Sequence, residues 1–283
     1  NPTIQAGLLF FNGLREVDLR CKGFGHHIPA LFASAGRPQM ARGGSKSLAI
    51  ALQTAASNAG GKFLLQAEPE QIIVEGGKAV GVQLADGRTI RAKHGVVSSL
   101  NPHQTFVDLL SPDSLSGVWR EKAEQFEYNL IAPLFGLNLN LSEAPVYKAA
   151  EKYPQLNDAL MIVLGLETID QFHDIVRHHE AGTIPPTVMW GCTPSHFDSS
   201  QAPAGKHTAF MWEKLPYHLK GDHRNWDLEK DAHGQEMLKL WTEFAPNLEG
   251  AVIDSFTRSA VDTERTLPNM KNGDLLVGSF SKN

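Results

Sequence analysis

The alternation of apolar and polar positions is most regular between Arg42 and Pro102. Arg42-Gly43-Gly44-Ser45 opens the stretch, with Ser45 in a helix N-cap position. Leu48, Ala51, Leu52, Ala55, Ala56 and Ala59 then recur at helical spacing before Gly60-Gly61 ends the run. This pattern predicts an amphipathic helix. β-type runs follow at 63–65, 72–75, 79–84 and 89–92, with the apolar pair Val96-Val97 beyond them. Gly76-Gly77 and Asp86-Gly87 are hairpin signals, so the runs predict an antiparallel meander packed beside one helix.

After Asn101 the pattern changes. Helices are expected between Pro102 and Pro112 and over 116–127, 167–180 and 227–244. Strands are expected over 128–141, 187–192, 207–212 and 251–256. Helices and strands do not alternate regularly, which favours an α+β fold over a doubly wound parallel sheet. The expected architecture is a helix with an antiparallel β-meander, followed by a mixed-sheet domain with flanking helices. The divisions fall at 1–41, 42–102 and 103–283.

A chain of 283 residues holds one large domain or two modest ones, and 42% hydrophobic with 20% charged residues is ordinary for a soluble protein. The net charge of −5 and the scattered basic residues give no nucleic-acid-binding stripe. Cys21 and Cys192 are too few for a zinc site and form no C-x-x-C pair, so they read as reduced thiols. No apolar run approaches the roughly 20 residues of a membrane-spanning helix. The apolar stretch at 6–11 lacks the basic lead of a signal peptide. A cytoplasmic or organellar-matrix protein, not secreted and with no membrane span, is the expectation. The chain opens on Asn1 and not on Met, so either something has been removed or it is a piece of a longer protein.

G-G-S-x-x-L-x-x-A-L, G-G-K-F, I-I-V-E-G-G-K-A-V-G-V-Q-L-A-D-G-R-T-I-R-A-K and V-V-S-S-L-N-P occur in that order between Gly43 and Pro102. Together they resemble the middle of the phytoene-desaturase-like FAD-dependent oxidoreductases. Three stretches of the second half are T-P-S-H-F-D-S-S-Q-A-P-A-G-K-H, L-P-Y-H-L-K-G and F-A-P-N-L-E-G-A-V-I-D. They are similar to the subgroup named for pyridine nucleotide-disulfide oxidoreductase domain-containing protein 2. The resemblance implies that the helix and meander are the remnant of an FAD-binding domain and that the remainder is a substrate-binding domain. It also implies removal of hydride from an apolar or amine-bearing small molecule, with the flavin doing the redox chemistry. Arg42, Gly43, Gly44, Ser45, Pro69, Glu70, Ser98, Ser99 and Asn101 fall at positions that face the cofactor in that family. Phe135, Trp190 and Trp212, with Met211, lie on strands expected to roof an apolar substrate cavity. No catalytic acid or base is assigned.

Three departures from the family bear on the flavin. There is no G-x-G-x-x-G turn to meet the pyrophosphate, since Gly23-Phe24-Gly25 is followed by His26-His27-Ile28. The chain stops at Asn283, about where a glycine-rich closing segment is expected. Pro69 has no N–H to offer the adenine. The expectation is therefore a chain truncated at both ends that does not hold FAD tightly by itself. A flavin-free binding or assembly module and an unrelated hydrolase activity remain the alternatives. The apolar faces of the helix and meander are expected to be exposed or covered by a second copy, which makes the protein a homo-oligomer.

Other constellations read as structural. His173, His178, His179 and Glu180 share a predicted helix, but His173 to His178 is not the spacing of metal ligands on one face, so they read as a solvated polar face with no metal. His218 and His223 lie in a loop. Cys192, His196 and Asp198 are only neighbours in sequence. There is no G-x-S-x-G elbow, and Ser279-Phe280-Ser281-Lys282 matches S-x-x-K only by its two end letters.

Overall fold

The computed structural model describes residues 1–13, 17–22 and 39–278. The G-F-G stretch at 23–25 and the S-x-x-K match at 279–282 lie outside them. The chain forms two compact units. One comprises Asn1–Ile50 and Asn129–Leu276; the other is built on Ala51–Tyr128, so its boundaries differ from the sequence divisions at 42 and 102.

In the smaller unit, β1 (Pro69–Glu75), β2 (Lys78–Leu84) and β3 (Thr89–Arg91) form an antiparallel sheet in that order. Gly76 and Gly77 have φ of 57° and 76°, the paired left-handed conformation that matches the twist of a tight hairpin. Ile72 and Leu84 are its buried apolar side chains, and the Arg91 guanidinium grips Glu75 with two hydrogen bonds of 2.8 and 2.9 Å. Residues 63–65 and 96–97 form no strand, since no neighbouring strand pairs with them. A π-helical turn, Gln104–Asp108, and the helix Gly117–Glu124 complete the unit. The helix Ser45–Asn58 forms as its periodicity predicts, but none of its residues is buried, and Leu48, Ile50 and Leu52 are exposed.

The larger unit is built on β4 (Leu134–Leu141), β5 (Ile162–Leu164), β6 (Met189–Cys192), β7 (His207–Lys214) and β8 (Val252–Arg258). Their order is β5-β6-β7-β4-β8, and every pairing is antiparallel. The α+β architecture is thus present, with an antiparallel second sheet. Odd-numbered residues of β4 (Phe135, Leu137, Leu139 and Leu141) sink into the core with Met189 and Met211, against Trp226, Met237 and Trp241 of the helix Trp226–Phe244. Glu213 and His233 are buried in this region and joined at 2.7 Å; burial raises the Glu213 carboxyl while the His233 hydrogen bond opposes it. Gly191 lets β6 and β7 approach, because a Cβ there would lie 1.8 Å from the Phe210 carbonyl oxygen.

The helix Pro2–Gly13 is not among the elements expected from the apolar stretch at 6–11; it buries Ala6 and Phe10 against Phe172, Ile175, Val188 and Trp190. The helix Asp170–Ala181 corrects the solvated-face reading, since His179 is buried. Its Nδ1–H donates to the Ile175 carbonyl at 2.8 Å. Burial pushes the imidazole down to about 4 from 6.5, so the folded protein resists a proton that the unfolded chain accepts. Stability from this site is complete above pH 6.5 and is lost as pH falls toward 4. The loss is expected to reach roughly 2–4 kcal/mol in urea unfolding curves. His179→Leu should flatten that part of the pH profile, and an unchanged slope in the variant would overturn the assignment.

Candidate functional site

The face of the large sheet opposite the helix Trp226–Phe244 is open and floors a cavity of about 870 Å³ within the larger unit. Strand register lays two rows of side chains across this floor. Val163, Trp190, Trp212, Gly136 and Arg258 are successive partners across all five strands. Cys192, Phe210, Asn138 and Phe256 form the next row. The rings interlock: Phe10 meets Trp190 edge to face at 6.0 Å, Trp190 meets Trp212 at 6.4 Å, and Trp212 tilts over Phe210 at 4.6 Å. Met161, Leu267, Met270 and Leu276 add aliphatic walls. The polar groups on the lining are Ser45, Asn138, Arg258 and Thr263. Such a cavity, mostly apolar with a few convergent polar groups, suits a small organic ligand.

Of the residues singled out from sequence, Ser45, Trp190 and Trp212 come together on this cavity. Phe135 does not. It precedes Gly136 by one position, so the pleat turns it to the opposite face, where it packs on Trp226 and His233. Met211 is in that core for the same reason. Sequence reading missed Asn138, Phe256 and Arg258; once β4 and β8 are paired, their parity with Gly136 identifies them.

The glycine turn before the helix Ser45–Asn58 has φ of 80° at Gly43 and 82° at Gly44. Arg42 before it is exposed. The Gly43 N–H donates to Asp198 Oδ2 at 2.5 Å. Asp198 Oδ1 accepts the Ser200 hydroxyl at 2.6 Å and the Ser200 N–H at 3.1 Å. The Ser200 hydroxyl foremost, then the Gly43 N–H, bring the Asp198 carboxyl down to about 2. In the smaller unit Pro69 opens β1, and Glu70 accepts from the Gln83 amide at 3.4 Å. Ser98 shares a hydrogen bond of 2.8 Å with Thr105, Ser99 is exposed, and buried Asn101 accepts the Gln104 N–H at 2.8 Å.

Cys192, His196 and Asp198 form no catalytic group: His196 faces Asp158 at 3.0 Å, and burial raises the Cys192 thiol. Ser195 Oγ lies 3.2 Å from His207 Nδ1 but is itself buried and accepts the Thr208 N–H at 3.0 Å. Among the described residues His207 pairs with the Ser195 hydroxyl and with no carboxylate, so this pair lacks the third member of a hydrolytic triad.

No family profile matches the chain. A limonene dehydrogenase polypeptide of Castellaniella defragrans is 26% identical over 303 residues, covering 99% of this chain and 53% of that protein. A chloroplastic prolycopene isomerase of Arabidopsis thaliana is 30% identical over 236 residues, covering 79% of this chain and 34% of that protein. A 4,4'-diapophytoene desaturase (4,4'-diapolycopene-forming) of a Methylomonas species is 24% identical over 197 residues, covering 69% and 34% respectively. The chain is thus similar to phytoene-desaturase-like oxidoreductases. It spans about half the length of the limonene dehydrogenase polypeptide and about a third of the other two.

The Gly43-Gly44-Ser45 turn does not fit a flavin pyrophosphate as it stands. Its first N–H already serves a carboxylate, and a second anion there would meet that charge. Asp198→Asn keeps the side-chain shape but removes the charge. Faster hydrogen exchange at the Gly43 amide is expected, and exchange unchanged from the parent would show that the contact does not hold the turn.

Proposed function

We propose that the chain forms the substrate-holding part of a FAD-dependent oxidoreductase of the dehydrogenase or desaturase type, with an apolar organic substrate on the open face of the five-stranded sheet. The observation that carries this reading is the cavity of about 870 Å³ floored by Trp190, Trp212 and Phe256. Relatives named for limonene, prolycopene and diapophytoene support it. Removing about 200 Å² of apolar ligand surface from water contributes roughly 5 kcal/mol before the entropy of binding is subtracted. The indole and phenyl rings orient the ligand and exclude water from one side of it. Flavin, when bound, supplies the redox chemistry.

Because the Gly43 N–H is engaged, FAD binding to this chain is expected to be weak. FAD titrated into the purified protein should still show a shift of its visible band, and limonene added anaerobically should bleach that band. A flavin spectrum indifferent to the protein would favour a flavin-free binding module. Labelling by a serine-reactive phosphonate would instead favour hydrolysis.

The same reading includes self-association, supported by the exposed Leu48, Ile50 and Leu52 on one helix. Light scattering at micromolar concentration should give a mass above that of one chain; a monomeric mass would remove this part of the proposal.

A further inference from the structure

The apolar floor of the cavity is interrupted at Gly136 by a gap that the Trp212 indole and the Asn138 amide border. Gly136 stands between Trp212 and Arg258 in the cross-strand row. A methyl group on Gly136 would lie 3.6 Å from Asn138 Nδ2 and 3.7 Å from Trp212 Nε1, so both nitrogens border the space that glycine leaves empty. Arg258 is the direct antiparallel partner of Gly136 and lines the same cavity.

Among the described residues, neither the Trp212 indole N–H nor the Asn138 amide donates a hydrogen bond. The Arg258 Nε–H donates to Thr263 Oγ1 at 3.2 Å, which fixes the plane of the guanidinium. Its Nη groups meet no carboxylate among the described residues, although the other surface arginines of this unit, such as Arg224 and Arg265, are paired with aspartates. A half-buried guanidinium held by one hydroxyl and facing an apolar trough has a planar fork free for two oxygen atoms.

We infer that the gap over Gly136 binds the carboxylate of an amphipathic substrate whose apolar body lies along Trp212, Trp190 and Phe256. This deepens the reading of the cavity as a substrate site and rests on it. The carboxylate takes two hydrogen bonds from the Arg258 Nη groups, while the indole N–H and the Asn138 amide serve the remaining lone pairs. A protonated amine placed there would meet a cation and two donors. Arg258 therefore selects against amine-headed substrates, one of the two classes that family resemblance allows. Neutral hydrocarbons fill the trough but leave the donors unpaired, so they forgo the discrimination that a buried polar site provides.

The test compares dodecanoate, dodecan-1-ol and dodecylammonium as probes of the purified chain, by calorimetry and by quenching of tryptophan fluorescence. Dodecanoate should bind at least about tenfold more tightly than the alcohol and the amine, the discrimination expected from one charged hydrogen-bonded pair. Arg258→Met should abolish that preference while leaving the alcohol's affinity within about twofold. Gly136→Ala is the second variant: its methyl makes no contact shorter than 3.4 Å, so the fold should stand while the gap is filled and dodecanoate is weakened. Equal binding of the three probes, tighter binding of the amine, no binding of any, or a preference that survives both substitutions would each overturn the proposal. Failure here is separable from failure of the oxidoreductase reading. A flavin-indifferent protein that still prefers dodecanoate loses only the redox function, whereas a flavin-responsive protein without the preference loses only the carboxylate site.

Discussion

Strand β4 sits between β7 and β8, and its pleat decides which side chains serve the core and which serve the cavity. Odd positions from Phe135 to Leu141 are large, apolar and buried, and they fix the sheet against the helix Trp226–Phe244. Even positions on the same strand, Gly136 and Asn138, are small or polar and face the trough. A slip of one residue would put Phe135 in the trough and Gly136 in the core, opening a void and losing several buried side chains at once. The register of one strand thus underlies both the stability of the larger unit and the shape of its candidate site.

Much of the smaller unit was legible in the sequence because its signals are local. Gly76-Gly77 and Asp86-Gly87 dictate where the chain turns, and the runs between them alternate at strand period. The helix at Ser45–Asn58 was equally clear from its spacing, although periodicity could not reveal that none of its residues would be buried. The larger unit was harder to read. β5 is three residues long and carries no alternation to detect, and the helix Pro2–Gly13 lacks acidic residues in its first turn and basic ones in its last. Phe135 has the chemistry of a pocket residue, but only the pairing with β7 and β8 shows which way it faces. Arg258 had no local signal at all, since its meaning depends on a glycine more than a hundred residues earlier.

The flavin question takes a sharper form in the same way. Gly43-Gly44-Ser45 is a glycine turn leading into a helix, and its local sequence suits an anion. Its tertiary partner is Asp198, an anion the chain supplies itself. Similarity to desaturase-like proteins and the chemistry of the individual turn thus point in different directions.

The strand order has a consequence for how the chain is made. β4 is complete at Leu141, yet its neighbours β7 and β8 begin at His207 and Val252. At ribosomal speeds of about 5–20 residues per second, this apolar strand waits on the order of ten seconds for its second neighbour. Throughout that interval at least one of its edges is unpaired, a hydrophobic edge of the kind that recruits other chains. Synthesis of this protein therefore depends on shielding one short segment in time, and yield in a host cell will follow chaperone supply and translation rate as much as final stability.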